Sequence, residues 1–153
     1  SFTRNLVKGK IAETIFAQMF REAKKYTVLE FGYEKIIPEL VQAGYNSNTG
    51  IVETLRSAPD FAVIDNEERH VKLIEVKYRN AVNNLEILDV AKRMHESWNP
   101  SWLFVCSLEG FYFDKVDKII ENNGHIDKLT NEIIPNTLQL RYLEILCDFE
   151  DNK

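Results

Sequence analysis

Two short apolar segments of β-type residues, separated by a polar turn, constrain the fold of this chain more than any other feature. After the turn-forming Pro59, residues 61–64 have the composition of a β-strand, and residues 71–77 have that of a second strand. Residues 65–68 between them are all polar or charged, as in a tight connection. The sequence therefore predicts an antiparallel β-hairpin.

This predicted hairpin carries two carboxylates and one amine that are expected to meet. Asp60 precedes the first strand and Glu75 lies near the end of the second, so an antiparallel turn brings both to the same end. Side chains alternate across a strand, which places Glu75 and Lys77 on one face and directs Val76 into the opposite layer. Two oxygen donors and a cation are thus expected to converge.

The paired carboxylates indicate a metal. Adjacent carboxylates raise each other's pKa, and a divalent cation bound between them reverses this effect. Mg²⁺, with Mn²⁺ as a substitute, suits the set because it binds oxygen ligands and usually takes only one or two protein carboxylates. Such an ion polarises a phosphoryl oxygen and lowers the pKa of a bound water, and Lys77 is placed to orient that water. The expected reaction is hydrolysis of a phosphodiester.

Pro59-Asp60 followed by Glu75-Val76-Lys77 resembles the signature of the PD-(D/E)XK nuclease superfamily, which has the restriction-endonuclease-like fold. In that superfamily the aspartate, the glutamate and the carbonyl of the residue between glutamate and lysine bind the catalytic metal, and the lysine serves the attacking water. The resemblance implies these roles for Asp60, Glu75, the Val76 carbonyl and Lys77. It covers residues 4–107 and implies an α/β/α sandwich around a central mixed sheet.

The first predicted helix, over about residues 9–25, supplies a further candidate acid. The segment from Lys8 to Glu13 is similar to the start of archaeal Holliday-junction resolvases, where a basic residue and a glycine precede the helix that carries an additional metal-binding glutamate. The resemblance implies a catalytic and metal-binding role for Glu13, at the border of the apolar face. An ion pair with Lys10 is the alternative role of Glu13. Glu53 is the substitute ligand, and Glu30 is a more distant one.

The charge distribution bears on a nucleic-acid partner. A net charge of −5 and a pI near 5.3 are unusual for a duplex binder, because Lys and Arg supply the affinity for phosphates. Residues 1–25, however, carry six Lys and Arg against two Glu, whereas residues 109–153 carry ten acids against five bases. Lys10, Arg21 and Lys24 share the border of the first helix and are predicted to contact a nucleic-acid backbone, with DNA favoured over RNA.

The remaining pattern predicts a single α/β domain. Its predicted elements are a strand over 26–33, a short helix over 38–43, a loop over 45–50, an amphipathic helix over 83–97 and a strand over 101–107 that is covered on both faces. Beyond residue 107 we expect a strand over 110–113, a helix over 115–122 and a long alternating strand over 138–146.

Composition bears on membrane insertion and on the roles of the cysteines and histidines. No run approaches the ~20 apolar residues of a membrane span, and the start of the chain lacks an apolar signal region, so a soluble cytoplasmic protein without a membrane partner is expected. Cys106 and Cys147 lie in apolar, strand-like runs and are expected to be buried free thiols. The histidines have no ligand spacing with them, which argues against zinc.

Two functions from different classes stay open at this point. The first is a metal-dependent nuclease, with a DNA endonuclease favoured. The alternative is a catalytically inert restriction-endonuclease-like domain that serves as a protein-interaction or accessory module, and an edge hairpin with solvated charges would fit it. The intact acid, acid and lysine set favours the nuclease. A homodimer is a further option, because it would place two sites on two strands of a duplex or junction.

Overall fold

The structure is a computed structural model that describes residues 2–32 and 54–151. Its helices and strands are, in chain order, α1 (Phe2–Glu22), β1 (Tyr26–Glu30), β2 (Phe61–Asp65), β3 (Val71–Tyr78), α2 (Asn84–Ser97), β4 (Trp102–Ser107), β5 (Gly110–Lys115), α3 (Val116–Glu121) and α4 (Asn136–Asp151). The predicted helix over 38–43, the predicted loop over 45–50 and the candidate ligand Glu53 lie outside the described residues.

The five strands form one mixed sheet in the order β1-β2-β3-β4-β5. Neighbouring strands are antiparallel except for β3 and β4, which are parallel and are joined by α2 as the crossover helix. The predicted hairpin is confirmed, because Phe61 pairs with Ile74 and Ile64 pairs with Val71. The α/β class and the central mixed sheet are therefore as predicted.

Helices cover both faces of this sheet, and β4 shows the two layers clearly. Phe104 and Cys106 point into the core beneath α1, whereas Leu103 and Val105 point into a second core formed with α2 and α3. A strand that is covered on both faces needs apolar residues at consecutive positions, which is what the sequence of β4 provides. The predicted position of this strand is confirmed.

Helix α1 packs on the sheet through the apolar face that the sequence predicts. Ile15, Phe16 and Met19 are buried, and Ile11 is partly buried against the same core. The helix begins at Phe2, however, and not near Gly9. A glycine inside a helix costs about 1 kcal/mol relative to alanine, and contacts to the rest of the fold offset this cost, as described below for Lys8.

The start of α1 is held by the last helix, and its end has a local cause. Lys8 and Arg4 form ion pairs with the buried carboxylate of Glu150 on α4, at 3.1 and 3.8 Å. At the other end, Lys24 adopts a positive φ of 63°. This left-handed conformation is a common helix terminator, so the helix ends at Glu22 rather than at residue 25.

The predicted strand over 138–146 is wrong, because these residues belong to helix α4 (Asn136–Asp151). Leu138, Tyr142 and Leu146 lie four residues apart and pack against the core beneath α1, which is the spacing of a helical face. Cys147 therefore lies in a helix and is only half-buried, contrary to the expectation of a buried strand position. Cys106 is buried in β4 as expected, and both thiols are free.

Smaller differences concern the ends of elements. The predicted strand over 26–33 ends at Glu30, and the strand predicted over 110–113 extends to Lys115. The short helix that follows ends before Asn123 and Gly124, whose φ angles of 54° and 95° break the helix as predicted. Within residues 2–32 and 54–151, no helix is long and apolar enough to cross a membrane.

Candidate active site

Asp60 is fixed at the start of β2 by backbone hydrogen bonds on both sides. Its carbonyl oxygen accepts hydrogen bonds from the N–H groups of Phe31 and Gly32 at 3.0 and 3.2 Å, which ties it to the end of β1. Its carboxylate oxygen Oδ2 accepts a hydrogen bond from the N–H of Val76 at 2.8 Å, which ties it to β3. The carboxylate is thus held against the strand that carries Glu75.

Glu75 and Lys77 lie on the same face of β3, as the alternation of side chains requires. The Lys77 ammonium nitrogen Nζ lies 3.5 Å from the Glu75 carboxylate oxygen Oε2. Val76, between them, is buried in the core beneath α1. The two functional side chains therefore point away from that core, and the strand fixes their separation.

The Asp60 and Glu75 carboxyl groups line the same groove and are close enough to interact. The pKa of Asp60 is raised to about 8, first by burial and then by the charge of Glu75 and a hydrogen bond to the Glu75 carboxyl group. The N–H of Val76 and the charge of Lys77 oppose it but do not cancel it. Without a cation, the pair therefore holds a proton near neutral pH, since two ionised carboxylates in contact repel each other.

An open groove of about 480 Å³ joins this pair to α1. One wall is formed by Lys8, Gly9 and Glu13 of α1, and the other by residues of β3 from Glu75 onward and by Asp60. Gly9 has no side chain, and a Cβ added there would meet nothing within 4 Å. The groove is therefore open at Gly9.

The structure places Glu13 in this groove, half-buried. Glu13 also lies 4.0 Å from Lys10, which is the ion pair that the sequence offered as its alternative role. In the part of the chain that the structure describes, no three His, Cys, Asp or Glu side chains form a group that could hold a metal ion. The oxygen donors gathered at the hairpin are thus Asp60 and Glu75, with Glu13 farther along the groove, and Glu30 is exposed on β1.

The three predicted backbone-contact residues are spread along α1. Lys10 lies beside Glu13, near the groove. Arg21 lies in the last turn of the helix, where its guanidinium Nη2 donates a hydrogen bond to the Val28 carbonyl at 3.2 Å. Lys24 follows the end of the helix. The structure therefore brings Lys10 near the groove and leaves Arg21 and Lys24 toward the opposite end of α1.

A buried charged cluster beside the groove was not predicted. The Glu150 carboxylate on α4 is 7% exposed and accepts a hydrogen bond from the Tyr78 hydroxyl at 3.2 Å as well as the ion pair from Lys8. Burial and the Glu150 charge raise the pKa of Tyr78 to about 12. Lys8 stands in the motif at the start of the chain, but nothing in the sequence links it to an acid in the last helix.

The donor set at the hairpin fits a hard divalent cation. Both carboxylates supply oxygen, and Mg²⁺ binds proteins through one or two such groups while keeping waters and substrate oxygens in its other positions. A cation would also replace the proton that Asp60 otherwise holds, because a nearby positive charge favours the ionised carboxylate. The residues present therefore fit the ion that the sequence predicts.

Comparisons with known proteins give no family for this chain. No protein-family model matches it, and no curated protein matches it either. The function is therefore inferred from the residues of the site and their geometry.

Proposed function

We propose that this protein is a Mg²⁺-dependent nuclease of the PD-(D/E)XK superfamily, with the restriction-endonuclease-like fold. The observation that carries the proposal is that the interacting carboxyl groups of Asp60 and Glu75 line one groove, with Lys77 at 3.5 Å from Glu75. A solvated edge hairpin has no reason to hold two carboxyl groups together at a raised pKa. The site therefore has the features of a centre built for a cation.

Asp60, Glu75 and the Val76 carbonyl would hold the metal ion. When bound, Mg²⁺ or Mn²⁺ polarises a phosphoryl oxygen and lowers the pKa of a water molecule. The Val76 N–H keeps the Asp60 carboxylate in place through a hydrogen bond of 2.8 Å, so the side chain needs little reorganisation. Glu75 lies within β3, and the pairing of β3 with β2 and β4 fixes the strand that carries it.

Lys77 is assigned to the attacking water and to the negative charge that develops on the phosphoryl group. Its position on the same strand face as Glu75 keeps its ammonium group beside the carboxylate pair. Glu13 is assigned a supporting role from α1, where it would bind a water or a second oxygen ligand of the site. DNA is proposed as the substrate, because the motifs resemble those of DNA-cleaving enzymes.

The overall architecture also supports this proposal. A mixed sheet with helices on both faces, a first helix that carries Glu13 and a hairpin that carries the other three residues are what the resemblance implies. The alternative, an inert interaction module, is favoured by the net charge of −5. A cleavage assay separates the two.

The test is cleavage of linear duplex DNA, branched DNA, single-stranded DNA and RNA in the presence of Mg²⁺, Mn²⁺ or EDTA. We expect metal-dependent cleavage that falls by at least ~100-fold in Asp60→Asn, Glu75→Gln and Lys77→Ala. Asp89→Asn and Lys92→Ala are matched controls, because both residues are exposed on α2. Cleavage that the three site variants retain would show that the roles are wrong, and no cleavage of any substrate would favour the inert module.

A further inference from the structure

A second cleft, of about 540 Å³, lies at the end of the sheet opposite to the Asp60–Glu75 groove. Asp60 precedes β2, whereas this cleft is reached by Asp65 at the end of β2 and by Trp102 at the start of β4. Nothing in the proposed reaction uses it. Its ligand can be inferred from its floor and its charges.

The floor of the cleft is apolar and aromatic. It consists of Phe20, Val63, Ile74 and Phe113, which belong to the core beneath α1, and the half-buried Trp102 lies beside them. Small-molecule sites are clefts of about 300–1,000 Å³ with mainly apolar walls and a few polar groups that set the orientation of the ligand. The four core residues are almost fully buried, so the aromatic surface that a ligand can reach is that of the half-buried Trp102 and Tyr26.

Two lysines converge on the ring of Trp102. The Lys72 and Lys115 ammonium nitrogens lie 5.4 and 5.7 Å from the ring centroid. Each gains a cation–π attraction there. Lys115 also lies 4.0 Å from Asp117. An anion at the edge of the Trp102 ring would be attracted by either ammonium group.

Most acids around the cleft have other partners, and Lys72 also attracts the carboxylate of Asp65 and helps to lower its pKa. Asp114 and Asp127 lie within 3.9 and 2.6 Å of the Lys118 ammonium group, and Asp65 accepts hydrogen bonds from two backbone N–H groups of the turn that follows β2. The remaining acids that line the cleft, Glu67, Glu68 and Glu132, are exposed to water, which screens their charge.

We propose that this cleft binds a small aromatic anion. Its planar ring would lie against Trp102, and its phosphate or carboxylate would lie beside the ammonium groups of Lys72 and Lys115. Nucleoside monophosphates and aromatic carboxylic acids share this chemistry. The proposal does not depend on the nuclease activity, because no residue of the cleft belongs to the Asp60–Glu75 groove.

The two tryptophans of the chain allow a direct test. Each gives one indole N–H signal in a ¹H–¹⁵N correlation spectrum of the full chain, and the Trp98→Phe variant assigns them. Trp98 is an internal control, because it does not line the cleft. Its indole Nε1–H donates hydrogen bonds elsewhere, to the Thr54 carbonyl and the Ser57 hydroxyl. The probes are adenosine 5′-monophosphate, indole-3-acetate, adenosine and inorganic phosphate.

We expect the Trp102 signal to shift saturably with at least one of the two aromatic anions, and the Trp98 signal to stay unchanged. Adenosine and phosphate should bind at least tenfold more weakly, since each offers only half of the contacts. Lys72→Gln and Lys115→Gln should each weaken binding by at least tenfold, whereas Lys92→Gln on α2 should not. Whichever aromatic anion binds more tightly identifies the ligand class.

Several results would overturn the proposal. No saturable shift up to about 10 mM of either aromatic anion would show that the cleft binds neither class. Phosphate binding as tight as that of the aromatic anions, or equal shifts of both indole signals, would indicate nonspecific electrostatics. Unchanged affinity in both Lys72→Gln and Lys115→Gln, with the fold intact by circular dichroism, would remove the anion site.

Discussion

Replacement of Asp60 by asparagine should stabilise the metal-free protein, and by more as the pH rises. Asparagine has nearly the same shape and keeps an oxygen that can accept the hydrogen bond from the Val76 N–H, which is 2.8 Å long for the carboxylate. It cannot ionise, so it removes the repulsion with Glu75. The variant therefore isolates the free energy that the folded protein loses when Asp60 ionises.

The magnitude follows from the pKa of Asp60, which rises from 3.8 to about 8 on folding. Between these values the folded chain holds a proton that the unfolded chain has released. The stability that this proton contributes to the folded chain is fully present below about pH 4 and is lost as the pH rises toward 8. One proton corresponds to about 1.4 kcal/mol per pH unit. The advantage of Asp60→Asn should therefore grow by about 3 kcal/mol between pH 5 and pH 7.

Urea denaturation in EDTA at pH 5, 6 and 7 measures this difference, with Asp89→Asn as the control that should follow the wild type. Adding Mg²⁺ should then stabilise the wild type by about 2.7 kcal/mol at 100 times its dissociation constant, and should stabilise Asp60→Asn by no more than about 1.4 kcal/mol, because the variant is expected to bind at least tenfold more weakly. A stability difference that does not vary with pH, together with equal effects of Mg²⁺ on both proteins, would refute the reasoning about the carboxylate pair.

Three further predictions address the water-activating residue, the core and the substrate. Lys77→Ala should lower kcat by about 10²–10⁴-fold while the protein still binds Mn²⁺, and loss of Mn²⁺ binding would contradict its assigned role. Phe104→Ala should cost about 3–5 kcal/mol in thermal or urea denaturation, because the ring is fully buried. Leu85→Ala, at a residue 76% exposed, should stay within about 0.5 kcal/mol of the wild type. With Ca²⁺ to block cleavage, Lys10→Gln should weaken DNA binding and lower its salt slope by about 0.9, whereas Lys24→Gln should leave both unchanged; equal effects would indicate nonspecific attraction.

The sequence predicts the fold well where one burial pattern dominates. The hairpin, α2 and β4 have a clear period or a continuous apolar run, and the structure confirms all three. Helix α4 is different, because Leu138, Leu140 and Tyr142 alternate with polar residues and so satisfy a strand pattern as well. Only packing decides the outcome, since Leu138 and Tyr142 contact the core whereas Leu140 is exposed. Leu138, Tyr142 and Leu146 also recur every four residues, so the segment fits a helical period as well, and the fold uses that period.

Part of the candidate site could likewise be predicted from the sequence, and part could not. Asp60, Glu75 and Lys77 could be predicted because a single hairpin carries them and strand geometry fixes their faces. The contact of Lys8 with Glu150 joins residues at opposite ends of the chain, and only the packing of α1 against α4 brings them together. Arg21 and Lys24 share a helix border with Lys10, but helix length separates them from the groove. The position of a residue along a helix therefore matters as much as the face of the helix on which it lies.

Mn²⁺ binding to the metal-free protein, followed by electron paramagnetic resonance of the free ion, is the most direct measurement of the proposed metal centre. The wild type should bind Mn²⁺ with the same concentration dependence that supports cleavage. Asp60→Asn and Glu75→Gln should bind at least tenfold more weakly, and Asp89→Asn should bind like the wild type. No binding by the wild type at millimolar Mn²⁺, or equal binding by all four proteins, would contradict a catalytic metal at this carboxylate pair.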